Sequence, residues 1–173
     1  HGIELNEETT NPFESDQLAQ LNPLKLIPVL VLDDGAVLLE SPLICEYLDS
    51  IGTGPTLYPK ANQWLWRTRM MIGHGLADAS VQLRLQQVLP DGEQSATLKM
   101  RYAKRMARAV AALDSQTEAL AEGAMRMDMI CAVMGIGHME FRHGEDWRND
   151  AANLAAWYDD AMERPSFPKT AMD

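Results

Sequence analysis

Residues 22 to 48 read NPLKLIPVLVLDDGAVLLESPLICEYL, and this stretch decides the fold. Two apolar runs, Leu30 to Leu32 and Val37 to Leu39, flank Asp33-Asp34-Gly35, a turn tripeptide whose glycine supplies the positive φ of a tight hairpin. Pro28 stands at the mouth of the first strand, where its missing N–H removes no ladder bond, and it pushes Ile27 into an extended conformation. Ile27 therefore keeps a backbone N–H and C=O with no partner inside the hairpin.

The second strand runs directly into Glu40-Ser41-Pro42. An apolar stripe of Leu43, Ile44, Tyr47, Leu48 and Ile51 follows, at the spacing of a half-buried helix. Ser41 is the expected N-cap, Pro42 the expected first helical residue, and Gly52 ends the helix. A complete capping box needs Glu or Gln where Ile44 stands, so the amides of Leu43 and Ile44 are expected to share only the Ser41 hydroxyl. Such a helix start attracts an anion by about 0.3–1 kcal/mol through its dipole, and charge-assisted hydrogen bonds add to that. Glu40 alongside can accept from a cation. A carboxylate and an ammonium on one small molecule describe the α-carbon end of an amino acid.

The series N-P-x-x-x-I-P-V-L, D-D-G and E-S-x-x-I-x-E-Y-L resembles the N-terminal domain of the glutathione transferases, and the chain follows that family's plan to its end. The resemblance implies an α/β thioredoxin-like N-terminal domain, incomplete here, over residues 1–52, then a linker over 53–59 and an all-α helical-bundle domain over 60–173. It implies a cis bond at Pro28 and pairing of the Ile27 main chain with the cysteinyl part of glutathione, the γ-glutamyl end being held by Glu40 and Ser41. The family commonly places Lys or Gln two residues before the cis proline to reach the glycyl carboxylate. Here that position is Leu26, and Lys25, one residue earlier, is the candidate.

Composition narrows the classes of function. The 173 residues are 46% apolar, enough for a substantial core in one domain or two. A formal charge of −10 with no evident basic stripe argues against nucleic acid. No apolar run approaches the roughly 18 residues that span a bilayer, and the given sequence shows no signal peptide. Cys45 and Cys131 lie far apart in apolar helical stretches, which reads as two reduced, buried thiols in a cytoplasmic protein.

Elsewhere the chain is read in order. Ile3 to Glu7 alternates as a strand does. By resemblance, His1 to Glu4 is the end of one helix and the start of the next strand, and an upstream strand and helix would carry the Ser, Cys or Tyr that addresses the glutathione sulfur. A shortened fold, or leftover residues at His1 and Gly2, is the other reading. Ser15 to Leu21 reads as a short helix stopped by Asn22-Pro23. Beyond the Gly/Pro-rich linker, helices are predicted over 61–89, 94–121, 127–141 and 150–162, packed antiparallel through short connections.

In the family, the first of these helices meets the other subunit on one face and lines the electrophile pocket on the other. That implies Met71, His74 and Gly75 as pocket wall, and Trp66, Met70 and the outer face as the contact of a homodimer. Met and Trp at helical spacing are, residue by residue, more simply read as core. No metal site is expected, because His74 has no His or Cys three or four residues away. His138 and His143 are five apart and read as surface or capping residues. Asp128 falls at the acidic half of the family's N-capping box, but Met125 stands where Ser or Thr belongs, a lost cap of about 0.5–2 kcal/mol.

Conjugation needs glutathione as thiolate. A thiol of pKa about 8.5 is only about 3% ionised at pH 7, and lowering that pKa by about two units corresponds to ~2.7 kcal/mol. Ser41 is committed to the γ-glutamyl end, Tyr47 and Tyr58 lie on a helix face and in the linker, and neither cysteine begins a helix, so the catalytic residue is unassigned. The expected function is glutathione transfer to a small apolar electrophile; an upstream Cys would shift it toward thiol reduction. The alternative is a non-catalytic binding or regulatory relative. Retention of Ile27-Pro28 together with Glu40-Ser41 favours the enzyme.

Overall fold

The hairpin forms with its first strand one residue earlier than the apolar run suggests: β1 (Val29–Val31) pairs antiparallel with β2 (Val37–Leu39), Val29 opposite Leu39. Its turn is closed by Leu32 N–H donating to Ala36 C=O at 2.8 Å and Gly35 N–H donating to Leu32 C=O at 2.9 Å. Gly35 takes φ +86°, where a side chain would be strained, and Asp34 Oδ1 accepts from Ala36 N–H. The computed structural model describes residues 1–170, and the chain divides into two units, His1–Tyr58 and Pro59–Asp173.

In the first unit, α1 (Asp16–Leu21) is capped by Ser15, whose hydroxyl accepts from Leu18 N–H at 3.0 Å. Helix α2 (Ser41–Ile51) follows the hairpin, and Leu18 and Ile44 are the buried apolar side chains of this unit. The strand expected over Ile3 to Glu7 does not form. Alternation needs a neighbouring ladder, and the sheet among the described residues is β1 and β2 alone. Asp49, near the end of α2, instead gathers the surrounding irregular chain. It accepts from Leu57 N–H at 2.7 Å and Thr56 Oγ1 at 2.6 Å, and lies 3.1 Å from His1 Nε2.

The second unit is helical: α3 (Gln63–Gln87), α4 (Ala96–Asp114), α5 (Thr117–Ala121), α6 (Met127–His143) and α7 (Ala152–Met162). The single helix expected over 94–121 is broken at Ser115-Gln116. There Ser115 Oγ and Gln116 Nε2 both bond back to Ala112 C=O, at 2.9 and 3.0 Å, and compete with the helical ladder. Helices α3 and α6 cross closely because two glycines meet: a Cβ on Gly73 would lie 2.6 Å from the Cys131 carbonyl carbon, and one on Gly135 would lie 2.5 Å from Gly73 O. Leu76, Leu113, Leu120, Ile136 and Leu154 fill the core.

Three expectations for this unit are corrected. Trp66 and Met70 are buried, at 2% and 6% exposure, so they do not belong to an outward face; Trp64 and Leu65 are the exposed large residues of that turn. His138 and His143 are half-buried and both engage Ser80 of α3, Nδ1 of His138 lying 2.7 Å from the Ser80 hydroxyl and Nε2 of His143 lying 3.0 Å from its carbonyl. Burial, with Arg142 and His143 nearby, lowers the His138 pKa. Asp128 caps nothing: the N-cap of α6 is Arg126, and the fully buried Asp128 carboxylate sits between Arg69 Nε at 2.9 Å and Arg126 Nε at 3.1 Å. Among the described residues, no helix is long and apolar enough to cross a membrane.

Removing one partner from such a buried pair strands the other charge, so Asp128→Ala is expected to destabilise the chain by about 3–5 kcal/mol in urea denaturation. A loss below about 1 kcal/mol would show that the pair behaves as a surface ion pair.

Candidate functional site

The recess is built from the loop that enters the hairpin. Asn22 closes α1 and is buried at 1% exposure, and both ends of its amide are engaged: Nδ2 donates to Leu26 C=O at 2.8 Å, and Oδ1 accepts from Leu24 N–H at 2.9 Å. Its carbonyl accepts from Lys25 N–H at 2.8 Å, and Lys25 takes the left-handed conformation, φ +53°. These bonds hold the chain that presents Ile27. The Ile27–Pro28 bond is cis, Ile27 is 53% exposed, and its N–H and C=O have no hydrogen bond among the described residues. Sequence reasoning missed Asn22, which it took only as a helix stop. The usable signal is an Asn at a helix end, whose side chain closes turns onto its own backbone.

The other side of the candidate site follows β2. The ladder ends at Val29–Leu39, with Ile27 two residues before Val29 and Ser41 two residues after Leu39. Between Leu39 and Ser41 the chain turns at Glu40, with φ +68° and ψ 130°, a conformation costing a non-glycine residue about 1–3 kcal/mol. This turn starts α2 one residue earlier than the capping pattern suggests. Glu40 is the N-cap, without a side-chain cap bond, and Ser41 and Pro42 are the first two helical residues. Glu40 C=O already accepts from Ile44 N–H at 3.1 Å, so the expectation of a free Ile44 amide is corrected. The amides left without a partner among the described residues are those of Ser41 and Leu43, together with the Ser41 hydroxyl. The Glu40 carboxylate is exposed and makes no ion pair among the described residues.

Lys25 is on the same loop, and its Nζ donates to Phe13 C=O at 3.4 Å on the surface. Lys25, Ile27, Pro28, Glu40 and Ser41 thus belong to one end of the hairpin and its flanking turns. Met71, His74 and Gly75 form a separate set, one face of α3 in the second unit. Met71 is 51% exposed, and a Cβ on Gly75 would lie 3.4 Å from Arg105 Nη2. Among the described residues, no thiolate-forming side chain stands out: burial pushes the Cys45 thiol up, and the Tyr58 hydroxyl donates to Pro42 C=O at 3.5 Å. Among the described residues, no group of three or more His, Cys, Asp or Glu is arranged to hold a metal ion.

An exposed main chain beside a cis proline, a helix start with open amides, and a following all-α unit define a thioredoxin-like domain joined to a helical domain. The family model for the glutathione S-transferase N-terminal domain matches residues 1–51. Among solved structures, a glutathione transferase family member from Pseudomonas fluorescens Pf-5 with bound glutathione is 32% identical, with a TM-score of 0.89 over 98% of this chain and 85% of its own. Another structure from that organism, with bound S-(propanoic acid)-glutathione, is 32% identical with a TM-score of 0.82, covering 91% of this chain and 83% of its own. The uncharacterized GST-like protein YibF of Escherichia coli K12 is 27% identical over 168 residues, 92% of this chain and 82% of its length. The chain belongs to the glutathione transferase family.

Proposed function

We propose that the protein binds glutathione in the recess of its first unit and transfers the thiolate to a small apolar electrophile. The observation that carries this reading is the exposed, unpaired main chain of Ile27. An extended tripeptide laid alongside takes both its N–H and its C=O, as added strands do at sheet edges. The γ-glutamyl carboxylate is received by the Ser41 and Leu43 amides and the Ser41 hydroxyl, and the γ-glutamyl ammonium by Glu40. Lys25 reaches the glycyl carboxylate by releasing the Phe13 carbonyl.

Met71, His74 and Gly75 are the wall for the electrophile, where a thioether gives an adaptable apolar surface and the glycine keeps space clear. Bound glutathione and bound S-(propanoic acid)-glutathione in the Pseudomonas relatives support the ligand. The two free cysteines fit a cytoplasmic setting. A second copy of the chain is the proposed partner, on the exposed outer face of α3 that carries Trp64 and Leu65 in place of the buried Trp66 and Met70. Light scattering that found only a 19.3 kDa species would remove the dimer from this reading.

Isothermal titration with glutathione tests the site. Binding in the micromolar to low-millimolar range is expected, and Ser41→Ala, which deletes a hydrogen bond to a charged group worth about 1.5–3 kcal/mol, should weaken it by roughly ten-fold or more. Absence of heat with folded protein would sink the reading. Binding without turnover of an aryl halide electrophile would leave a non-catalytic binding module.

A further inference from the structure

Beyond the close approach of Gly73 and Gly135, one serine of α3 takes two histidines of α6. Ser80, about two turns past Gly73, is fully buried. Its hydroxyl lies 2.7 Å from Nδ1 of His138, and its carbonyl lies 3.0 Å from Nε2 of His143. A carbonyl only accepts, so His143 carries a proton on Nε2 and donates it. The hydroxyl is less constrained. A neutral His138 can accept its proton on Nδ1, whereas a charged His138 must donate from Nδ1. The buried hydroxyl hydrogen then has to turn back to a carbonyl of its own helix, that of Leu76, four residues earlier.

The surroundings favour the neutral ring. On α6 itself the charged neighbours are Arg142, four residues on, and His143, and both are basic. Helix α6 packs on α3 and α7. From α3 comes the uncharged Ser80, with Arg84 exposed one turn beyond it. From α7 comes Tyr158, close to Gly137, and burial pushes its hydroxyl pKa up, so that it stays neutral. The carboxylates of this corner are engaged elsewhere: Glu140 accepts from Arg148 and Trp147, and Asp159 accepts from Arg148. A proton on His138 therefore adds positive charge beside Arg142, half withdrawn from water and paired with no acid among the described residues. Burial first, and then Arg142 and His143, lower its pKa from the ordinary 6.5.

We propose that Ser80, His138 and His143 form an acid-sensitive joint between α3 and α6, firm while His138 is neutral and weakened once it takes a proton. The joint consists wholly of second-unit residues and does not depend on the glutathione reading. The unfolded chain takes that proton at a higher pH than the folded chain does. The joint's contribution to stability is therefore full above about pH 6.5 and falls as the pH drops from there toward the folded pKa.

Two measurements on the full chain test this. Following the histidine ring protons by NMR should place the His138 titration below about pH 6.5, and Arg142→Gln should move it upward. A His138 that titrates at or above that value would overturn the inference. Urea denaturation at about pH 7.5 and about pH 5.5 should show the wild-type midpoint falling further than that of His138→Asn, which keeps an amide toward Ser80 but cannot take a proton. Parallel falls in the two proteins would also overturn it, by showing that the proton does not load the joint. If circular dichroism finds His138→Asn unfolded, Arg142→Gln serves in the same comparison, its midpoint falling less than the wild type's; a fall equal to or greater than the wild type's is then the contrary result.

Discussion

The β1–β2 ladder stops at Val29–Leu39, two residues short of Ile27 on one strand and of Ser41 on the other, and the proposed site rests on that interruption. Nearly all backbone donors and acceptors withdrawn from water find partners. A residue such as Ile27 is permitted to keep both groups free because it is half exposed and held in place from behind. The holding is done by Asn22, whose buried amide would leave the Leu26 carbonyl and Leu24 amide unsatisfied if removed, at about 1–3 kcal/mol. On the proposed reading, recognition through the Ile27 main chain therefore depends on the buried side chain of Asn22.

The opposite wall depends on Glu40. Its positive φ turns β2 into α2 without a connecting loop, so the first amides of the helix follow directly on the end of the hairpin. The same turn makes Glu40 C=O the first acceptor of the helical ladder, which takes Ile44 N–H out of play and leaves Ser41 and Leu43. Pro42, lacking an N–H, lies between those two amides and adds no unsatisfied donor. Both walls are thus set by backbone conformation, and the side chains that matter are those that fix it.

What could be read in advance follows from the range of the interactions. The hairpin, α1 and the helical second unit were legible because alternation, a Gly-bearing turn and capping serine act within a few residues. The start of α2 was misplaced because positive φ is anticipated at glycine, and nothing local marks Glu40 for it. The family pattern points Trp66 and Met70 outward, whereas their burial is decided by the packed chain. His138 and His143 looked superficial because their common partner, Ser80, lies 58 and 63 residues away. Asp128 has the sequence position of half a local box, but its partners are Arg69, distant in sequence, and Arg126, two residues before it.

The most direct measurement is a backbone amide titration of the isotope-labelled chain with glutathione by NMR. The amides of Ile27, Ser41 and Leu43 should show the largest shifts, while Ile44, already bonded to Glu40, should change little. Shifts confined to the helical unit, or an Ile27 amide that does not respond at saturation, would contradict main-chain recognition at the open end of the hairpin.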